Sequence, residues 1–262
     1  MMLTFIILLL ICLFFCLSYR KKPSSSSITT CLPNFDIFVI SLKPMKNEQL
    51  IKTFPNKKIN IQNGIDIRSA TTENILKSQM IDEKTRDSIV NGRKYHHEIG
   101  THGAIGLAWA NKLVFDKGDN SLLLFEEDYN ILDYMKLREE INILQNNTDK
   151  FDIAVFGGIF RRKNLKGDNH ILKPVEWMPP GWAELNGGRF FLLHAVFFTP
   201  MGRKKIRNLL FKDPIDMQID SLYSEWAVKH NIRIILQHKD KTVRQIGNRK
   251  TTIQTDNCRT CI

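Results

Sequence analysis

The chain has 262 residues, 43% hydrophobic and 25% charged, enough for one α/β domain with a full core and too short for two large ones. Its 38 Lys and Arg outnumber 27 Asp and Glu, and the net charge of +11 suits an anionic partner: nucleic acid, an acidic membrane surface or a phosphorylated ligand. The sequence has no arginine-rich block, zinc-finger spacing or aromatic RNA-binding signature, which argues against nucleic acid.

Residues 1–19 are almost uninterrupted apolar sequence, closed by Arg20, Lys21 and Lys22. That length reaches the minimum for a membrane span. A secretory signal has a positive n-region and a small-residue cleavage site, and neither is found here. Residues 1–19 are therefore expected to form an uncleaved single-pass signal-anchor. Basic residues after the span favour a cytosolic over a lumenal domain, and the sequon Asn146-Asn147-Thr148 is a built-in reporter of the lumenal alternative. Residues 20–34, rich in Ser, Thr and Pro, read as a stem. Cys258 and Cys261 form a lone C-x-x-C at the end of the 257–262 tail, weak evidence for zinc without a second pair and more simply two free thiols. The absence of cysteine between Cys31 and Cys258 argues against a disulfide-built domain.

From residue 35 to 256 apolar runs alternate with amphipathic ones. FDIFVISL (35–42) is β-branched and aromatic, fit for a buried first strand, and KKINIQNGIDI continues as a second strand ending in an Asn63-Gly64 turn. A surface helix is expected within 71–91, and a helix over 103–118 with Ile105, Leu107, Ala108, Leu113 and Val114 near helical spacing. SLLLF (121–125) has the character of a strand buried on both faces. Residues 134–145 read as a helix, FDIAVFGG (151–158) as a strand, FFLLHAVFFT (190–199) as one long apolar strand, 201–211 and 219–230 as helices, and IRIILQ as a late strand. Such alternation implies a mostly parallel, covered sheet.

The acidic triplet Glu126-Glu127-Asp128 follows the SLLLF strand directly. Ligands of open α/β sheets bind at the carboxyl ends of strands. Residues two apart on extended backbone share a face, so Glu126 and Asp128 can aim at one ligand, and two converging carboxylates call for a cation between them, with a divalent metal the natural candidate. His194 interrupts an apolar strand and needs a partner.

Taken in order, FVISLK, GIDI, GAIGLAWANKL, LLLFEEDYNI, HAVFFTPMGRKKI and PIDMQIDSLY resemble the motifs of glycosyltransferase family 25, the group of lipooligosaccharide and procollagen galactosyltransferases. The resemblance implies a GT-A-like single domain that transfers a hexose, galactose foremost, from a UDP-sugar to an acceptor hydroxyl on a glycan or protein, metal-assisted and inverting. In that reading Glu126 and Asp128 hold Mn²⁺ or Mg²⁺. Lys43, Asp66, Glu126 and Glu127 bind the donor, with Glu127 on the opposite face of the extended segment. Asp220 is the base, with Asp216 its local competitor and helix capping its structural alternative. Trp182 in the glycine-rich stretch 179–188 is either an acceptor platform or a packed core tryptophan. Ala110 and Asn111 stand where the family carries a Ser-His pair, so the alternative is a catalytically inactive sugar- or glycoprotein-binding module on the same fold.

The anchor expectation has a direct check. Full-length protein should stay in the membrane pellet after carbonate extraction, whereas a chain lacking residues 1–22 should be released. Carbonate extraction of the full-length chain contradicts it.

Overall fold

The computed structural model describes residues 34–95, 97–161, 172–186, 189–191, 193–212 and 214–246. The apolar N-terminal run, the stem with Cys31, and the tail with Cys258 and Cys261 lie outside the described residues. The chain divides into two units, Met1–Leu32 and Pro33–Ile262, and the second carries every described strand and helix. Among the described residues no helix is long and apolar enough to cross a membrane.

The elements in chain order are β1 (Phe35–Ser41), α1 (Glu48–Thr53), β2 (Ile59–Asn63), α2 (Thr72–Lys77), α3 (Glu83–Asn91), α4 (His102–Phe115), β3 (Ser121–Glu126), β4 (Tyr129–Ile131) and α5 (Tyr134–Gln145). They continue as β5 (Ile153–Val155), β6 (Ile159–Arg161), β7 (Lys173–Pro174), β8 (Trp182–Glu184), β9 (Arg189–Phe191), β10 (Ala195–Phe198), α6 (Pro200–Lys212), α7 (Ile219–Lys229), β11 (Ile234–Gln237) and β12 (Val243–Gln245). Eight strands form the main sheet in the order β2-β1-β3-β10-β5-β11-β8-β7. Six of these run in one direction, and β10 and β8 are reversed. The α/β class and the mostly parallel sheet therefore agree with the sequence reading.

Side-chain alternation along the strands supplies two cores. Leu122 and Leu124 of β3, with Val196 and Phe198 of β10, pack with Ile105, Ala108 and Val114 of α4, Ile206 and Leu210 of α6, and Leu222 and Trp226 of α7. On the opposite face Phe35 meets Phe54, just past α1, edge to face at 5.7 Å, and Phe197 lies against both Phe35 and Phe151. There α5 is fastened through the fully buried Glu140, whose carboxylate accepts from Trp182 Nε1 (3.1 Å), Gln237 Nε2 (2.8 Å) and Thr242 Oγ1 (2.9 Å).

Two expected elements are divided. The 71–91 helix is two, with Asp82 accepting from Thr85 N–H at the start of α3 and Gln79 at φ 60° in the link. The single long strand over 190–199 is also two. β9 pairs with β6, β10 enters the main sheet, and the break falls around His194, where a buried polar ring interrupts the apolar alternation. The strands β4, β6, β7, β8 and β12, of two or three residues each, carry too little pattern to be read from sequence.

Gly106 shows why α4 opens with small residues. A Cβ there would sit 2.1 Å from the carbonyl oxygen of Ile65, so only glycine lets the helix approach the turn that follows β2. Gly106→Ala is expected to cost about 1–3 kcal/mol through forced backbone displacement. Chemical denaturation checks this, and an unchanged midpoint would contradict it.

Candidate active site

The parallel strands β1, β2 and β3 end at the same edge of the sheet, and the sequence-predicted residues separate there into groups. In the pairing of β3 with β1, Ile40 stands opposite Glu126, so the acidic triplet emerges as β1 reaches Ser41. The backbone N–H of Glu126 donates to the carbonyl of His194 at 3.2 Å, which ties the triplet to the start of β10. Burial pushes the Glu126 carboxyl up to about 8, and the negative charges of Asp128, Asp220 and Glu127 add to the shift. Asp220, almost a hundred positions further along the chain, thus belongs to the same electrostatic group as the triplet.

Each carboxylate of this group has its own setting. Asp220 lies in the first turn of α7 and accepts from the N–H of Ser221 at 2.7 Å. The residue at the cap is Gln218, so the capping role considered for Asp220 is corrected. Asp128 accepts from Gln245 Nε2, and its carbonyl accepts from Ile246 N–H at 2.7 Å, which lays β12 along the segment after the triplet. Glu127 faces β1, where its Oε2 accepts from Ser41 Oγ (2.8 Å) and Leu42 N–H (3.0 Å). It braces the loop after β1 that carries Lys43. The Lys43 N–H donates to Ser41 Oγ at 3.1 Å, and its side chain is exposed.

Asp66 lies in the turn after β2 that Gly106 supports. It pairs with Arg68 through Nε to Oδ1 (2.7 Å) and through Nη2 to Oδ2, and this fork of donors holds the carboxyl down at about 2. Asp216 stands apart from the group. Burial raises it first and the charge of Asp82 second, and Glu126 is not among its neighbours in charge.

Tyr223 and Asn111 are functional candidates that sequence reasoning missed as a pair. The Tyr223 hydroxyl donates to Asn111 Oδ1 at 3.3 Å, and Asn111 Nδ2 donates to the carbonyl of Leu107 at 2.9 Å. Burial, with the charge of Glu126 second, raises the Tyr223 phenol well above its usual range. The Asn111 departure thus lies beside the carboxylate group and is engaged internally. The sequence carried one signal, the apolar face of 219–230, but nothing in it names the partner across the core.

His194 is buried, and neither ring nitrogen has a hydrogen-bond partner among the described residues. Burial pushes it down to about 4, helped by the charge of Lys241, while the Val243 carbonyl, near the ring but outside hydrogen-bond geometry, acts in the opposite direction. It is a neutral core ring at physiological pH. Trp182 is 2% exposed, lies edge to face with Phe156 and donates to Glu140, so its role as an acceptor platform is corrected to that of a core residue. A cavity of about 230 Å³ lined by Lys150, Trp177, Glu184 and Arg233 opens where β5 and β11 begin, at the edge opposite the triplet, and contains none of these site residues.

No three His, Cys, Asp or Glu side chains among the described residues are grouped as a ready-made metal cage. Glu126 and Asp128 lie close enough for the charge of Asp128 to raise the Glu126 carboxyl.

No family model matches the chain, and no curated protein matches it. Among solved structures it is similar to a UDP-glucose pyrophosphorylase complexed with UDP-glucose, with 11% identity, a TM-score of 0.44 and coverage of 82% of this chain and 94% of that one. It is also similar to a mannose-1-phosphate geranyltransferase from Thermus thermophilus, with 11% identity, a TM-score of 0.39 and coverage of 82% and 76%. Likeness at this level carries no argument about substrate.

The raised Glu126 carboxyl predicts a pH dependence. The unfolded group ionises at its ordinary 4.5 and the folded one at about 8, so between these values only the folded chain keeps the proton. Stability should therefore fall as pH rises from 4.5 to about 8 and level off above. Glu126→Gln should remove that part of the slope in melting temperature against pH. A slope identical in parent and variant contradicts the assignment.

Proposed function

We propose that the domain is a sugar-nucleotide-dependent glycosyltransferase of the family 25 kind, which moves a hexose, galactose foremost, from a UDP-sugar to an acceptor hydroxyl with inversion. One observation carries the reading: Asp220 on α7 joins the charge group of Glu126, Glu127 and Asp128 at the carboxyl end of β3. In the proposed step the acceptor oxygen bonds to the anomeric carbon, the bond from that carbon to the diphosphate oxygen breaks, and the acceptor proton passes to Asp220. Glu126 and Asp128 would hold Mn²⁺ or Mg²⁺, which supplies positive charge to the departing diphosphate. Lys43 and Asp66 belong to the donor side in this reading. Asp66 is paired there with Arg68, and Glu127 acts on Lys43 through Ser41 and Leu42. The same proposal tethers the enzyme to a membrane through residues 1–19, with the domain on the cytosolic side and a glycan or glycoprotein as acceptor.

A binding module without turnover is the second reading. It is favoured by Asn111, whose amide is engaged by Leu107 and Tyr223 at the place where the family pattern carries a polar pair.

Full-length protein in detergent, given a panel of sugar nucleotides with Mn²⁺, is expected to release nucleoside diphosphate. Asp128→Asn and Asp220→Asn are near-isosteric, and each should lower that release by a factor on the order of a hundred. No release from any donor by the parent, alongside retained UDP binding, would establish the binding module instead. Full activity in Asp128→Asn would remove the metal role.

A further inference from the structure

With Trp182 buried, Tyr95 is an exposed aromatic side chain among the described residues, at 59%. Its ring is stacked on His97 at 5.3 Å with an interplanar angle of 14°, so one face is backed and the side chain still presents a large area to solvent. The described backbone around it is hydrogen-bonded. The buried Glu98 accepts from the N–H groups of Lys94 (2.7 Å) and Tyr95 (3.1 Å), and the Glu98 N–H donates to the Tyr95 carbonyl at 3.1 Å.

This loop is joined to the segment that leads into α7. Glu98 forms an antiparallel bridge with Met217. Gln218 N–H donates to the His97 carbonyl at 2.9 Å, and Gln218 Nε2 donates to the Glu98 carbonyl at 3.2 Å. Asp220 follows Gln218 by two residues, and Tyr95 precedes His97 by two. At no more than about 3.6 Å per residue along each segment, Tyr95 and Asp220 are held within about 20 Å of each other, a span that an oligosaccharide can bridge.

We propose that Tyr95, backed by His97, is a saccharide platform that receives a ring of the acceptor on the Asp220 side of the site. The apolar C–H face of a pyranose packs on an aromatic ring while its hydroxyls stay hydrated or meet the phenol. A platform whose backbone is already bonded loses little conformational freedom on binding. The acceptor assignment rests on the transferase reading, but the saccharide contact is measured without turnover.

The test uses full-length parent, Tyr95→Phe and Tyr95→Ala in detergent, with methyl β-galactoside, methyl β-glucoside and lactose as probes in saturation-transfer NMR. Transfer to ring protons of at least one probe is expected in the parent and in Tyr95→Phe, with apparent affinity about tenfold weaker in Tyr95→Ala. No transfer to any probe in the parent, or undiminished transfer in Tyr95→Ala, overturns the platform. UDP affinity, titrated with Mn²⁺, should be the same in parent and Tyr95→Ala; a parallel loss would assign Tyr95 to the nucleobase and overturn the acceptor role. If the parent shows Tyr95-dependent saccharide binding but turns over no sugar nucleotide, the transferase reading fails and the saccharide site stands.

Discussion

The carboxyl group of Glu126 ends a strand that is buried on both sides, and three other carboxylates act on it. Negative charge withdrawn from water and set beside more of its kind is costly unless a proton or a cation offsets it. The folded chain meets this constraint with a proton on Glu126 near neutral pH and with hydrogen bonds to its neighbours. Gln245 donates to Asp128, Ser41 and Leu42 donate to Glu127, and Ser221 N–H donates to Asp220. In the proposed reading, a metal-bound phosphate ligand would offset the same excess. The architecture that creates the strain is thus also the one that would select the ligand.

The opposite edge of the sheet balances its charges within the protein. Arg203, 1% exposed, donates to Asp36 (2.6 Å) and to the carbonyls of Asn120 and Val114, which joins α6 to β1 and α4. Asp152 accepts from Lys205 Nζ and Arg233 N–H. These pairs are closed on themselves and serve packing. At the triplet's end, by contrast, Asp128, Asp220 and Glu127 are the like charges that raise the Glu126 carboxyl.

Glycine and small residues set the spacing of the edge that carries the acidic triplet. Gly106 lets α4 touch the turn after β2, and Gly157, at φ +63°, passes under the Val243 carbonyl, where a Cβ would come within 2.0 Å. The turn with Asp66 and β12, which runs beside Asp128, are thus placed by close backbone approach together with the side-chain bonds of Glu127 and Gln245.

Local pattern alone determined the β1 and β3 strands, the helix at 102–115, the alternation that makes the sheet mostly parallel, and the exit of Glu126 to Asp128 at a strand end. All of these follow from runs of neighbouring residues whose burial is written in their order. Only the tertiary structure decided that Asp220 and not Asp216 joins the triplet, that Glu127 turns to Ser41, that Trp182 is core and that Glu140 is buried. These contacts join positions 42 to 102 residues apart, across a sheet in which β10 lies between β3 and β5. Strand order is an outcome of global packing, and a side chain's partner across it leaves no periodic trace in the chain.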